Sequence, residues 1–160
     1  MESNEALTKV LNSYRGYYNI KTDDVEPPFV AEAVFQSHTE KYLLVKAAHV
    51  ADIDSNEFVF FAKESTLTQE KLAELDAIAW ERGLSRVRPG ENHRNSDVIL
   101  IIIADSIEDS VFTAAKKLKH YKSYRFSFWG WSHYRLMAYD CSTGKFACNR
   151  MGRDLRKVFA

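Results

Sequence analysis

The sequence predicts an α/β (α+β) fold, a single mixed β-sheet covered by helices, with its elements in the order α-βββ-α-β-α-βββ. Three observations predict it. The run Val98-Ile99-Leu100-Ile101-Ile102-Ile103-Ala104 is apolar without alternation, as expected of a strand covered on both faces. Stretches with apolar residues at three- and four-residue spacing stand before and after it. Segments that alternate apolar with polar residues lie on either side and are joined by short polar turns. At 160 residues the chain suits one domain of ordinary size, able to bury a core, and no repeat or boundary divides residues 1–160.

Taken in order, Leu7, Val10, Leu11, Tyr14 and Tyr18 recur at helical spacing with Gly16 near the end, so the chain opens with an amphipathic helix. Asp23-Asp24-Val25-Glu26-Pro27-Pro28 cannot continue a helix and reads as a linker. Phe29, Ala31, Ala33 and Phe35 alternate as a strand. His38 to Lys41 is a turn, Tyr42 to Val50 a second strand, Asp52 to Asn56 a polar turn, and Phe58 to Ala62 a third strand. Short loops between them imply an antiparallel meander. Thr66-x-x-Gln69 resembles a capping box ahead of Leu72, Leu75, Ile78 and Ala79, in a helix that stops at Gly83. The polar, basic loop Leu84–Ser96 leads to the central strand and exceeds the usual length of about 2–6 residues. Ser106-x-x-Asp109 opens another helix, with Ile107, Val111, Phe112, Ala115 and Leu118 inward. Tyr124, Phe126 and Phe128 alternate with Ser123, Arg125 and Ser127 as a half-exposed strand. His133 to Cys141 and Phe146 to Cys148 form a hairpin about Ser142-Thr143-Gly144. Asp154 caps a last short helix carrying Leu155, Val158 and Phe159.

The leading α-βββ-α-β portion is the element string of the restriction-endonuclease-like core, an analogy of topology alone. Those nucleases hold a divalent metal with an acid near the second core strand and an acid-x-Lys on the third. Here Phe61 stands at the acid position of Phe61-Ala62-Lys63, and Asp52, Asp54 and Glu57 fall in the preceding turn. Other metal patterns fail as well. Asp52-x-Asp54-x-Asn56 lacks the glycine and glutamate of a calcium loop, and His38, His49, His93, His120 and His133 show no paired ligand spacing. Ser142-Thr143-Gly144-Lys145 leads into a strand, so it is no phosphate-binding loop. Cys141 and Cys148 are offset across their hairpin and read as buried thiols. No metal or other cofactor is expected. The longest apolar run is far short of the roughly 20 residues of a membrane-spanning helix. The opening Met1-Glu2-Ser3-Asn4-Glu5 has no secretion-signal character, so the expectation is a soluble cytoplasmic protein.

The formal net charge is zero but unevenly placed. Residues 1–80 hold 7 basic and 14 acidic side chains, a net of −7, and residues 81–160 hold 15 and 8, a net of +7. Such a split means either a basic face for an anionic partner or halves that neutralise each other across the fold. Basic residues interleave with aromatics from Lys116 to Arg125 and again from Trp129 to Arg135, the composition of a nucleic-acid surface. Lysines at a helix end and rings along a strand also have ordinary structural uses. Asn149-Arg150-Met151-Gly152-Arg153 is a compact, donor-rich corner suited to phosphate or carboxylate.

The first expectation is therefore a non-enzymatic binding module whose basic C-terminal half engages an anionic partner such as nucleic acid. Arg86, Arg88, Arg94, Lys122, Arg125, Arg150 and Arg153 contact phosphates in this reading, and Trp129 or Trp131 stacks on a single strand. The alternative is an enzyme with a small anionic substrate, in a pocket formed by loop 84–96 and the corners at 130–135 and 149–153. Asn149 belongs to that pocket, and His133 or His93 serves as general base. A third reading is a protein–protein adaptor or homodimer joined through the unlike charge halves.

The strings Ala79-Trp80-Glu81-Arg82-Gly83-Leu84-Ser85-Arg86, Gly130-Trp131-Ser132-His133-Tyr134-Arg135, Ser142-Thr143-Gly144-Lys145 and Asn149-Arg150-Met151-Gly152 resemble a family of small bacterial proteins carrying a domain of unknown function. The resemblance spans nearly the whole chain. It implies a bacterial cytoplasmic protein and supplies no catalytic residues.

Overall fold

The central strands set the architecture, and the computed structural model describes residues 1–36, 54–90 and 93–159. The described strands are β1 (Asn19–Lys21), β2 (Ala31–Gln36), β3 (Asp54–Leu67), β4 (His93–Ile107), β5 (Tyr121–Ser123), β6 (Trp131–Asp140) and β7 (Phe146–Cys148). They form one mixed sheet in the order β1-β2-β3-β4-β6-β5, with β7 also pairing β6. β3, β4 and β6 run parallel, while β2 is antiparallel to β3 and both β5 and β7 are antiparallel to β6.

Helices cover both faces, which is why the central strands are apolar on both. α2 (Gln69–Ser85) and α3 (Asp109–Lys117) bury Leu72, Leu75, Ala79, Val111 and Ala115 on the face carrying Phe60, Val98, Leu100, Ile102 and Leu136. Both belong to connections between parallel strands, and the fixed hand of such crossovers places them on the same side. α2 approaches so closely at Gly83 that a Cβ there would lie 2.5 Å from a Val98 methyl. α1 (Ser3–Tyr14) and a terminal 3-10 helix (Arg150–Phe159) bury Ala6, Val10, Leu11, Tyr14 and Leu155 on the opposite face, against Val59, Phe61, Ile99, Ile101, Ile103, Met137 and Tyr139. No described helix is long and apolar enough to cross a membrane.

The predicted fold class and element string are borne out, with several boundaries corrected. The predicted first and third strands pair directly, Ala31 with Phe61 through Gln36 with Asn56, so the antiparallel order expected of the leading strands runs β1-β2-β3. The predicted strand Tyr42–Val50 lies outside the described residues, as do His38, His49 and Asp52. The first of the three leading strands is instead β1. Tyr18 is past the end of α1, and its ring rests on Tyr14 at 4.6 Å and Phe35 at 5.3 Å. Thr66 is still in β3, and the N-cap of α2 is Thr68, whose hydroxyl accepts from the Lys71 amide at 3.1 Å. Ser106 is likewise still in β4, and the cap of α3 is Glu108, without a side-chain bond. The expected long loop shrinks, because α2 reaches Ser85 and β4 begins at His93.

Two further corrections concern the C-terminal half. Residues 124–129 form a tight turn and no strand, with Arg125, Phe126 and Ser127 at φ of 48°, 52° and 72°. Asp154 sits inside the 3-10 helix and binds Arg135 at 2.5 Å, so it caps nothing. Cys141 and Cys148 are free, as expected, yet only partly buried.

Candidate functional site

The open edge of β6 builds the strongest candidate. β5 pairs with residues 131–133 of that edge and β7 with residues 137–139, leaving the polar groups between them to be satisfied otherwise. The Asn149 side chain does this as a substitute peptide. Its Oδ1 accepts from the Leu136 amide at 2.9 Å, and its Nδ2 donates to the Tyr134 carbonyl at 3.0 Å. The same amide group also donates to the Leu118 carbonyl at 3.1 Å and accepts from the Gly152 amide at 2.8 Å. Asn149 is 1% exposed. This corrects its sequence-based role: it frames the corner and is not a ligand-facing group.

Gly152 completes the corner by lying on the Leu136 backbone, where a Cβ would come within 2.1 Å of the carbonyl oxygen. The chain then continues as the 3-10 helix, in which residues three apart are eclipsed. Gly152, Leu155 and Val158 share the inner row, buried or partly buried. Arg150, Arg153 and Arg156 share another row, all exposed. Together with Lys116 of α3 and with Phe146 and Cys148 of β7, they line a cavity of about 590 Å³. A second hollow of about 530 Å³ shares Phe146, Arg153 and Arg156 and adds Asp154 and Lys157, which extends the groove along the helix.

Among the described residues, no carboxylate pairs with Lys116, Arg150, Arg153 or Arg156. The Arg156 Nε donates to the Arg153 carbonyl at 2.8 Å, which holds that side chain in the row. Burial pushes the Cys148 thiol up, while Arg156 and Arg153 pull it back only in part. It therefore stays protonated at neutral pH and is a poor nucleophile.

The other sequence candidates divide into two groups. Arg86 is spent on structure: it grips Glu32 of β2 through two bonds of 3.2 and 2.9 Å and lies 5.0 Å over the Phe60 ring. Arg88 donates to the carbonyls of Ser85 and Val87. β2 is separated from β6 by β3 and β4, about 14 Å at about 4.8 Å per strand. Arg86 thus points away from the Asn149–Arg153 corner, and none of residues 84–90 or 130–135 lines the cavity. The side chains of Arg94 and His93 lie outside the described ones. The second group belongs to the β5–β6 hairpin. Lys122 sits 5.7 Å over the Tyr124 ring, and Arg125 lies 4.6 Å over Trp129. Trp131 starts β6 in register with Ser123 and is partly buried. The His133 ring is 5.1 Å from Tyr121, and burial, then Lys119, lowers its pKa.

Arg156 escaped the sequence reading, and Lys116 entered it only as the start of the basic, aromatic-rich stretch and not as a site residue. The signal for Arg156 was present as arginine at every third position from 150, a period that only a 3-10 helix makes meaningful. Lys116 needed the contact between α3 and β7, which sequence spacing does not encode.

Two other polar clusters are structural. His120 Nε2 lies 3.0 Å from both oxygens of buried Asp76, and its ring stacks on Trp80 at 5.1 Å. On the other face of the sheet, Glu57 and Asp97 are neighbours on β3 and β4. Glu57 is thus a partly buried strand residue and not a solvated turn acid. The Tyr18 hydroxyl donates to it at 2.9 Å, and Arg135 lies 3.7 Å from Asp97. Burial raises both carboxyls above their ordinary values, with the Glu57 rise opposed by the Tyr18 bond and the Asp97 rise by Arg135. A carboxyl raised by folding stabilises the fold below its unfolded pKa, and that contribution is lost as pH climbs through the folded value. Glu57→Gln keeps an acceptor for Tyr18 and removes the charge. It is expected to raise stability at pH 7 by roughly 1 kcal/mol, with the gain vanishing near pH 4 in urea melts. A variant less stable at pH 7 contradicts this reading of the cluster.

Among the described residues, no group of three or more His, Cys, Asp or Glu side chains is placed to hold a metal ion. Compared with known proteins, residues 2–160 match the model of a family described as "Domain of unknown function (DUF8052)". No curated protein and no solved structure matches the chain.

Proposed function

The chain belongs to this DUF8052 family of unknown function, and from its own residues we propose a non-enzymatic binding module whose basic cleft takes the phosphates of a nucleic acid. One observation carries the reading: Lys116, Arg150, Arg153 and Arg156 line a single cavity with no carboxylate partner among the described residues. Like charges gathered in one hollow repel each other, and a bound polyanion relieves that repulsion. Guanidinium forks match phosphate oxygens in pairs.

A polymer fits better than a small anion because the cations extend beyond the cavity. From Ser110 to Tyr134 the chain has five cations, Lys116, Lys117, Lys119, Lys122 and Arg125, and no carboxylate. Lys122 stands on β5, at the same β6 edge as the cleft. The β5-paired and β7-paired stretches of that edge are four residues apart, about 13 Å at about 3.3 Å per residue. A chain of phosphates reaches both. The setting that goes with this reading is the bacterial cytoplasm.

The test is fluorescence anisotropy of labelled single-stranded RNA, single-stranded DNA and duplex DNA at two salt concentrations. Binding is expected to weaken with salt. An Arg150→Ala, Arg153→Ala double variant is expected to lose about 10-fold or more in affinity. Both side chains are exposed, so the fold survives their removal. No binding at low salt, or wild-type affinity in the variant, overturns the proposal.

A further inference from the structure

The turn between β5 and β6 is built in a way that core packing does not explain. Arg125, Phe126 and Ser127 are consecutive residues in the left-handed region, with φ of 48°, 52° and 72°, and Gly130 follows at 83°. Side chains other than glycine rarely adopt that conformation, and it persists where the surroundings enforce it. Here they do. The Tyr124 amide donates to the Gly130 carbonyl at 2.9 Å, and the Trp129 amide to the Tyr124 carbonyl at 3.0 Å. The Phe128 amide donates to the Arg125 carbonyl at 3.0 Å. The Tyr124 and buried Ser132 hydroxyls are 2.9 Å apart.

This frame holds two phenylalanines out in water. Phe126 is 93% exposed and Phe128 79%. Their neighbours are cationic: Arg125 over the Trp129 ring and Lys122 over the Tyr124 ring. Exposed apolar rings on an ordered turn beside cations mark an interaction site.

We propose that the Tyr124–Gly130 turn is a stacking platform for the bases of a single-stranded nucleic acid, with Phe126 and Phe128 each taking an unpaired base. The inference rests on the nucleic-acid reading of the basic cleft, and adds that the strand is single and where its bases go. Charge complementarity selects an anionic partner, since no carboxylate occurs between Ser110 and Tyr139. The shape of the surface selects a flexible strand over a flat anionic bilayer. A bilayer meets the protruding turn but not the recessed cavity, whereas a strand stacked at the turn can run along the β6 edge into the cleft. Bases paired in a duplex cannot present their faces to the rings. Stacking on aromatic side chains is tolerant of sequence, so little base preference is expected.

The experiment compares the intact chain with Phe126→Ala, Phe128→Ala and Phe126→Trp, Phe128→Trp double variants. The probes are a labelled thymidine oligonucleotide of about 20 residues, a duplex of matching length, and vesicles of phosphatidylcholine with phosphatidylserine. The alanine pair is expected to lose about 10–100-fold on the single strand and to bind the duplex as the wild type does. The tryptophan pair is expected to keep its affinity, and its fluorescence is quenched by the oligonucleotide beyond the wild-type response. The rings face solvent, so melting temperatures stay the same and the affinities can be compared directly. Equal binding of the single strand by wild type and alanine pair overturns the platform and leaves the cleft reading standing. So does an equal loss on single strand and duplex, or a phenylalanine-dependent attachment to vesicles alone. A wild type that binds no oligonucleotide at low salt overturns both.

Discussion

Gly152→Ala is expected to lower the melting temperature by about 10 °C or more and to abolish oligonucleotide binding. The added Cβ would lie 2.1 Å from the Leu136 carbonyl oxygen and 2.7 Å from the Leu136 carbonyl carbon and amide nitrogen. Those atoms are backbone of a sheet strand and cannot rotate aside. The corner must move off β6, which breaks the Gly152 amide bond to Asn149 and pulls buried Leu155 outward. Overpacking of this kind costs about 3 kcal/mol or more, and for a chain of this size about 1 kcal/mol shifts the melting temperature by roughly 2–4 °C. Differential scanning calorimetry and anisotropy on the same preparation check both halves. A variant that melts with the wild type shows that the corner is looser than its contacts imply.

Asn149→Ala is expected to cost about 3–5 kcal/mol in urea unfolding. Its four hydrogen bonds span Leu118, Tyr134, Leu136 and Gly152, so one side chain ties the end of α3, the middle of β6 and the 3-10 helix together. Truncation leaves two amide donors and two carbonyls without that partner, and each buried unsatisfied group costs about 1–3 kcal/mol. Partial relief by water keeps the total below the simple sum. The loss is larger than for a typical surface substitution because Asn149 completes the ladder of β6 between β5 and β7. A cost below about 1 kcal/mol contradicts that role.

The sheet was legible in the sequence where burial alone decides. The run from Val98 to Ala104 could only be a central strand, and the apolar stripes of α1, α2 and α3 placed the helices. Legibility failed where a second structure shares the same signal. Phe126 and Phe128 alternate with polar residues like a strand, yet both are exposed. Their periodicity is that of a turn whose backbone is left-handed, and hydrophobic patterning does not report φ. Tyr18 continues the helical stripe of α1, but it packs on Tyr14 from the following turn. Thr66 and Gln69 have capping-box spacing, while the better-placed hydroxyl is Thr68. The charge split was visible, yet only the fold tells the spent cations from the free ones. Arg86 and Arg82 cross to Glu32 and Glu26 in the acidic half, whereas Arg150 and Arg153 face the cavity. Asn149 and Gly152 were noticed as a donor-rich corner, and their structural work follows from a gap in strand pairing that no linear pattern shows.

The central claim is that Arg150, Arg153 and their neighbours neutralise phosphates. The salt dependence of single-strand binding tests it most directly, measured by anisotropy for the wild type and the Arg150→Ala, Arg153→Ala pair across a series of salt concentrations. Each lost phosphate contact flattens the slope of log affinity against log salt by about 0.7 for a single strand. The account predicts measurable wild-type binding at low salt and a slope that flattens by about 1.4 in the double variant. An unchanged slope, or a wild type that does not bind at low salt, contradicts it.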